Sequence, residues 1–119
     1  GYRRDAMKDW ADVVNFACSL PDVEMAPFYG TPCPKVNGKA FVSPGREAGS
    51  FHVMSPHEEK AVLLETDPDS FWQTPHYEGW PGLLVRYGAA DEERVRNVIR
   101  RAWWDRAKKA QRAAFGERP

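Results

Sequence analysis

Along the first twenty positions the apolar residues Trp10, Val13, Val14, Ala17 and Cys18 recur at helical spacing, while Asp5, Lys8, Asp9 and Asp12 take another face. A first helix is expected from about Asp5 to Leu20, stopped by Pro21. The pattern then changes character. In VEMAPFYGTPCPKVNGKAFVSPG four prolines exclude a helix, and Asn37-Gly38 between CPKV and KAFV is a two-residue hairpin signal. Strands are expected at 24–28, 33–36 and 39–43, and SFHVM, where Phe51 and Val53 alternate with His52, is a fourth. Ser55-Pro56 followed by Glu58 has the parts of a helix start: a serine cap, a proline at the first helical position and a glutamate three residues after the cap. That second helix should reach Thr66 on a short stripe of Ala61, Leu63 and Leu64 and end in the turn-forming TDPDS. FWQT reads as a brief strand, TPHYEGWPG as an extended loop and LLVRY as a strand. Asp91 caps a last helix whose face is Val95, Val98, Ile99, Ala102, Trp103, Ala107 and Ala110, ending near Phe115-Gly116.

The order is thus α, three or four β, α, two β, α. Hairpins imply an antiparallel sheet, and three amphipathic helices need one face of it to cover, so the fold class is α+β: a two-layer sandwich with the helices on one face. The 119 residues suffice for one domain with its own core, spanning 1–119. A hydrophobic content of 42% excludes a disordered chain, and no apolar run approaches the length of a membrane span. The N-terminal segment GYRRDAMKDW lacks the apolar core of a secretory leader, and Cys18 and Cys33 lack CxxC spacing. Both cysteines are expected to be reduced packing residues of a cytoplasmic, monomeric protein.

A net charge of zero conceals an uneven distribution. From Arg94 to Arg112 eight basic residues face one acid, Asp105, and the rest of the chain is acidic in compensation. Such a segment either attracts a polyanion or is a solvated helix face whose cations complement the helix dipole.

Candidate chemistry is sparse. His52, His57 and His76 are isolated from one another and from the cysteines, so no metal site is expected, and no cofactor. GxSxG, GxxxxGKT and GxGxxG are all missing. The acids Glu58, Glu59, Asp67 and Asp69 stand where helix starts and turns use them. Trp10 and Trp103 belong to apolar helix faces, whereas Trp104 points away to cover a neighbouring loop or stand exposed. Trp72, His76, Tyr77 and Trp80 gather in and beside TPHYEGWPG, and Tyr29 joins them if PFYGTP lies nearby. Arg86 follows on the next strand. Aromatics and prolines this close make rigid walls, either as a satellite core that stiffens the loop or as a small pocket.

SLPDVEMAPFYGTPCPKVNGKAFV, LLETDPDSFWQTPHYEGWPGLLVRY and VRNVIRRAWWDRAKKAQRAAF together resemble the MmcQ/YjbR family over nearly the whole chain. The specific parts are LPDVE, the YGTPCPKVNGK hairpin, TPHYEGWPGLLVR and the AW followed by KK in the last helix. The resemblance implies an α-β(3 or 4)-α-β(2)-α fold, akin to secretion-chaperone-like and frataxin-like sandwiches. It also implies non-enzymatic DNA binding through a "double wing". Many relatives have a proline before the two basic residues of the last helix. This chain reads DRAKKAQ, so its helix is expected to run straighter and longer.

On the DNA reading the wings are the hairpin carrying Lys35 and Lys39 and the loop carrying Arg46, with Lys108, Lys109 and Arg112 adding phosphate contacts. The alternative is a small-molecule or protein interaction module built on Tyr29, Trp72, His76, Tyr77, Trp80 and Arg86 beside the sheet. An enzyme with a dispersed site around His76 and Arg86 ranks third.

Overall fold

The computed structural model describes residues 7–119. Helix α1 (Trp10–Cys18) starts where Asp9, in an extended conformation, accepts a hydrogen bond from the Asp12 amide. The expected start at Asp5 lies outside the described residues, and within them Met7 and Lys8 are not helical. Strands β1 (Glu24–Phe28) and β2 (Thr31–Val36) form an antiparallel hairpin, and β2 continues through Asn37-Gly38 into β3 (Lys39–Ala40). Asn37 and Gly38 have φ of 54° and 77°, the left-handed pair that an Asn-Gly hairpin turn requires.

The single strand expected over 39–43 is broken at Phe41. β3 pairs with β2, whereas β4 (Val42–Pro44) pairs with β5 (Ser50–Met54), so one bent strand serves two sheets. The bend drives the Phe41 side chain into full burial, while its carbonyl accepts from the Met54 amide at 3.0 Å. The second sheet has the order β4, β5, β7 (Gly82–Arg86), β6 (Phe71–Trp72), all antiparallel.

Alternation along these strands divides the sheet into two faces. Phe51, Val53, Leu83, Val85 and Phe71 enter one core with Val13 and Ala17 of α1, Leu63 of α2 (His57–Thr66), and Val95, Val98, Ile99 and Trp103 of α3 (Glu92–Arg106). The α+β class and the placement of the helices on one face agree with the sequence pattern. Burying Trp103 requires a partner for its indole N–H, and the Pro21 carbonyl accepts it at 3.0 Å. The alternate residues Ser50, His52 and Leu84 are buried on the other face, which among the described residues the core-packing helices α1, α2 and α3 leave uncovered.

Two helix boundaries differ from expectation. Ser55 does not cap α2; its amide donates to the Pro81 carbonyl at 2.9 Å, which holds it in the strand-like approach and moves the first helical residue to His57. The last helix is not longer and straighter for lack of a proline. It stops at Arg106, Ala107 is extended (φ −80°, ψ 153°), and a separate turn, α4 (Lys109–Arg112), follows. Side chains do what a proline would have done. Asn37 Nδ2 donates to the Arg106 carbonyl and to Gln111 Oε1, both at 2.9 Å, Arg112 Nε donates to the Trp104 carbonyl at 2.9 Å, and Gln111 Oε1 also accepts from the Lys108 amide at 2.7 Å. The open carbonyls of α3 are therefore satisfied from outside the helix.

Of the cysteines, Cys33 is buried, but Cys18 is exposed: it lies 100° around α1 from the buried Ala17 and turns to solvent. Among the described residues no helix is long and apolar enough to cross a membrane.

Candidate functional site

The TPHYEGWPG segment folds as a chain of tight turns over the helix-free face. Thr74 is extended, Pro75–Tyr77 form one 3₁₀ turn, and the Tyr77, Trp80 and Gly82 amides donate to the Thr74, Tyr77 and Trp80 carbonyls at 2.9, 2.9 and 2.8 Å. Prolines at 75 and 81 have no N–H to leave unpaired and suit such a path. The segment is held from below by Lys60 of α2. This lysine is 3% exposed, and its ammonium donates to the Tyr77 carbonyl at 2.5 Å and the Trp80 carbonyl at 2.7 Å. Burial pushes the Lys60 pKa down, and the nearby Glu78 carboxylate opposes that shift.

Fixed in this way, the loop lays the Tyr77 ring on the His52 imidazole, with centroids 5.1 Å apart and planes 28° from parallel, and sets His76 edge-on to Tyr77 at 4.9 Å. His52 is 6% exposed, and its pKa is lowered to about 4 by burial first and then by the positive fields of Lys60 and Arg106, so it is neutral at physiological pH. Its Nε2 has no hydrogen-bond partner among the described residues. Gly82 sits against the same ring: a Cβ there would overlap His52 Nε2 and approach Cε1 to 2.5 Å. The glycine that closes TPHYEGWPG is a packing requirement of the histidine.

Between this loop, the bent strand β3–β4 and the β1–β2 turn lies a cavity of about 560 Å³. Its floor is His52 and Met54 of β5, the bent strand borders it at Phe41 and Val42, and its walls are Phe28, Tyr77, Trp80 and His76. Tyr29, Thr31, Ser43 and Arg46 complete the lining towards the β1–β2 and β4–β5 turns. Tyr29 is 94% exposed, in a left-handed conformation at φ 50°, with its ring edge-on to Phe28 at 4.7 Å; Trp80 is 50% exposed.

The cavity thus unites Tyr29, His76, Tyr77 and Trp80, four of the six residues expected to form a pocket. Trp72 and Arg86 are on the same sheet face but pack on each other instead. The guanidinium lies 4.5 Å from the Trp72 ring centre, while Trp72 Nε1 donates to Ser50 Oγ at 3.0 Å. Sequence reasoning missed His52, Lys60 and Gly82 as parts of this site. Alternation in SFHVM does put His52 opposite the core-facing Phe51 and Val53, which was the available signal. Nothing in the α2 sequence marks Lys60.

The residues expected to contact DNA do not form one surface. Lys35 is drawn onto β1: its ammonium donates to the Pro27 carbonyl at 2.6 Å and lies 5.7 Å from the Phe28 ring centre. Arg46 lines the cavity. It follows the end of β4 remote from the Asn37-Gly38 tip, beyond the bend at Phe41 that carries the chain from one sheet to the other. Arg112 is half-buried, with its guanidinium 5.1 Å from the Trp104 ring centre. Lys39, Lys108 and Lys109 are exposed, and the Asn37–Gln111 contact puts them at one end of the molecule.

Much of the basic run is neutralised within the fold. Glu93 accepts from Arg96 at 2.8 Å and Arg100 at 2.9 Å, and Glu59 from Arg101 at 2.8 Å and Arg118 at 2.7 Å. Arg94 donates to Thr66 Oγ1 at 2.6 Å. Among the described residues no three His, Cys, Asp or Glu side chains are placed to hold a metal ion.

The family model described as YjbR matches residues 18–104, from the end of α1 to Trp104 in α3, and so includes both turns and the loop that enclose the cavity. The chain belongs to the YjbR family. It is similar to the uncharacterized protein Rv2570 of Mycobacterium tuberculosis and the uncharacterized protein Mb2600 of Mycobacterium bovis, each 27% identical over 124 residues that cover 92% of this chain and 96% of the relative. No solved structure matches the chain. The YjbR match ends before Lys108, Lys109 and Arg112, so the basic α4 turn lies beyond the matched segment.

Proposed function

We propose that this YjbR protein is a non-enzymatic binding module whose cavity on the helix-free sheet face receives a small, flat, largely apolar ligand. The observation that carries the reading is the pairing of an aromatic-walled cavity of about 560 Å³ with two large rings left exposed at its mouth, Tyr29 at 94% and Trp80 at 50%. The volume is within the range of small-molecule sites. Tyr29 is the sharper of the two. A left-handed turn position favours Asn or Gly, and here a tyrosine stands there with its ring in solvent, set edge-on to Phe28 and not buried in the core. Among the described residues neither His52 nor His76 hydrogen-bonds a carboxylate or hydroxyl, so no base and nucleophile are paired, which favours binding over catalysis.

A phosphate-contact reading for DNA draws on the exposed trio Lys39, Lys108 and Lys109. Three lysines supply a weak, strongly salt-dependent attraction. One pair of titrations separates the two readings. With ¹⁵N-labelled protein, 2-naphthamide is expected to shift the amides of His52, Met54 and Tyr77 and the Trp80 indole saturably. A random-sequence duplex is expected to shift only residues around Lys39 and Lys108, with an effect that fades by physiological salt. Naphthamide shifts absent from the cavity would defeat the ligand reading, and salt-resistant duplex binding would favour DNA.

A further inference from the structure

We infer that the ligand of this cavity carries one carboxylate on its flat ring and that Arg46 receives it; the inference rests on the binding-module reading above. Apart from the two histidines, no other side chain lining the cavity carries a formal charge. The walls are rings and aliphatic side chains, Thr31 and Ser43 bring hydroxyls, and the floor imidazole of His52 is held neutral. No lysine, aspartate or glutamate lines the cavity, and Arg46 is the one arginine that does. Among the described residues it has neither an ion pair nor a hydrogen-bond partner, which sets it apart from Arg94, Arg96, Arg100, Arg101, Arg112 and Arg118, each engaged within the fold. The neighbouring Glu47 does not line the cavity.

The position of Arg46 suits the role. It follows β4 in the loop that leads to β5, on the side of the cavity where Tyr29, Thr31 and Ser43 lie and away from the Lys60-held loop. A ring resting on Met54 and the His52–Tyr77 stack would therefore direct a substituent outward towards the guanidinium and the two hydroxyls. A guanidinium offers two parallel N–H donors, which match the two oxygens of a carboxylate. A cationic ligand would meet Arg46 and the positive field of Lys60 with no compensating acid in the lining.

The test compares three probes of one shape, 2-naphthoate, 2-naphthamide and 2-naphthylmethylammonium, titrated into the intact protein at low salt and followed by the His52, Tyr77 and Trp80 resonances. Binding about two- to fivefold tighter for naphthoate than for naphthamide is expected, the size of an exposed ion pair, with the ammonium weakest. Arg46→Gln should remove the preference and Arg46→Lys should keep most of it; both substitutions are on an exposed loop and leave the core intact. Equal binding of naphthoate and naphthamide, a preference that survives in Arg46→Gln, or a preference for the ammonium would overturn the carboxylate while leaving the cavity as a binding site. Failure of all three probes to move these resonances would overturn both.

Discussion

Substituting Gly82 by alanine adds one methyl group at the junction of the loop and β7, and the structure states what it meets. The new Cβ would overlap Nε2 of His52, lie 2.5 Å from Cε1 and 3.1 Å from the Val53 carbonyl oxygen. The ring cannot retreat easily, because Tyr77 is stacked on it and the residue is 6% exposed. Overpacking of a site this closed costs about 2–3 kcal/mol. For a domain of this size that is a fall in Tm of roughly 8–12 °C. Gly79, three residues earlier, has nothing within 4 Å of its Cβ position, so Gly79→Ala is the matched control and should be close to neutral. The decisive version is a double-mutant cycle by chemical denaturation. With His52→Ala in the background the obstacle is gone, so Gly82→Ala should cost little, giving a coupling of about 2 kcal/mol. If Gly82→Ala costs the same with and without the imidazole, or is neutral in the wild-type background, then His52 is not where the structure puts it and the floor of the cavity is wrongly drawn.

Three further outcomes follow from the same geometry. His52, at about 4 in the folded protein against 6.5 as its ordinary value, binds its proton more readily when unfolded; its contribution is full above about pH 6.5 and is lost as pH falls through 4. Between pH 7 and pH 4.5 the wild type should therefore lose about 2–3 kcal/mol that His52→Gln does not lose, read from urea midpoints at the two pH values, and parallel losses would refute the assignment. Lys60→Met removes the donor shared by the Tyr77 and Trp80 carbonyls, and about 1–3 kcal/mol of local stability with it. Hydrogen exchange at the Trp80 amide should quicken while that of Val53 does not, and unchanged exchange at Trp80 would show the clamp to be dispensable. Asn37→Gly keeps the left-handed turn and deletes the side-chain bonds to Arg106 and Gln111, so about 1 kcal/mol should be lost, with faster exchange confined to α4 and the end of α3.

The parts of this fold visible in the sequence are those that local patterning controls. Asn37-Gly38 specifies its own turn, Asp91 caps α3 by accepting from the Arg94 amide, and the alternation of Phe51 and Val53 separates the core face from the other. The parts that were hidden depend on residues far apart in the chain. Whether α3 continues past Arg106 is decided by Asn37, 69 positions earlier, and no feature of DRAKKAQ reports it. The break at Phe41 arises because one strand must serve two sheets, which alternation alone does not record. The site was legible in the same proportion. The aromatic content of TPHYEGWPG pointed to a loop that lines the cavity, and Tyr29 to a turn that does, because both are local clusters. Lys60 holds the loop from a helix 17 and 20 residues away, and the charge of Arg94 to Arg112 looked available for a polyanion because its acidic partners Glu59 and Glu93 stand outside the run.

The claim on which the account depends is that Trp80 stands at the mouth of a ligand cavity. Protein carrying 5-fluorotryptophan would give separate ¹⁹F signals for its tryptophans, with Trp80 assigned by Trp80→Phe. Screening a library of small planar compounds, neutral and anionic, against these signals tests the claim without prior choice of ligand. Members of the library should shift Trp80, half exposed beside the cavity, and leave Trp103, fully buried in the core, where it is. A Trp80 signal that no compound moves, or that moves only with duplex DNA, would contradict the account.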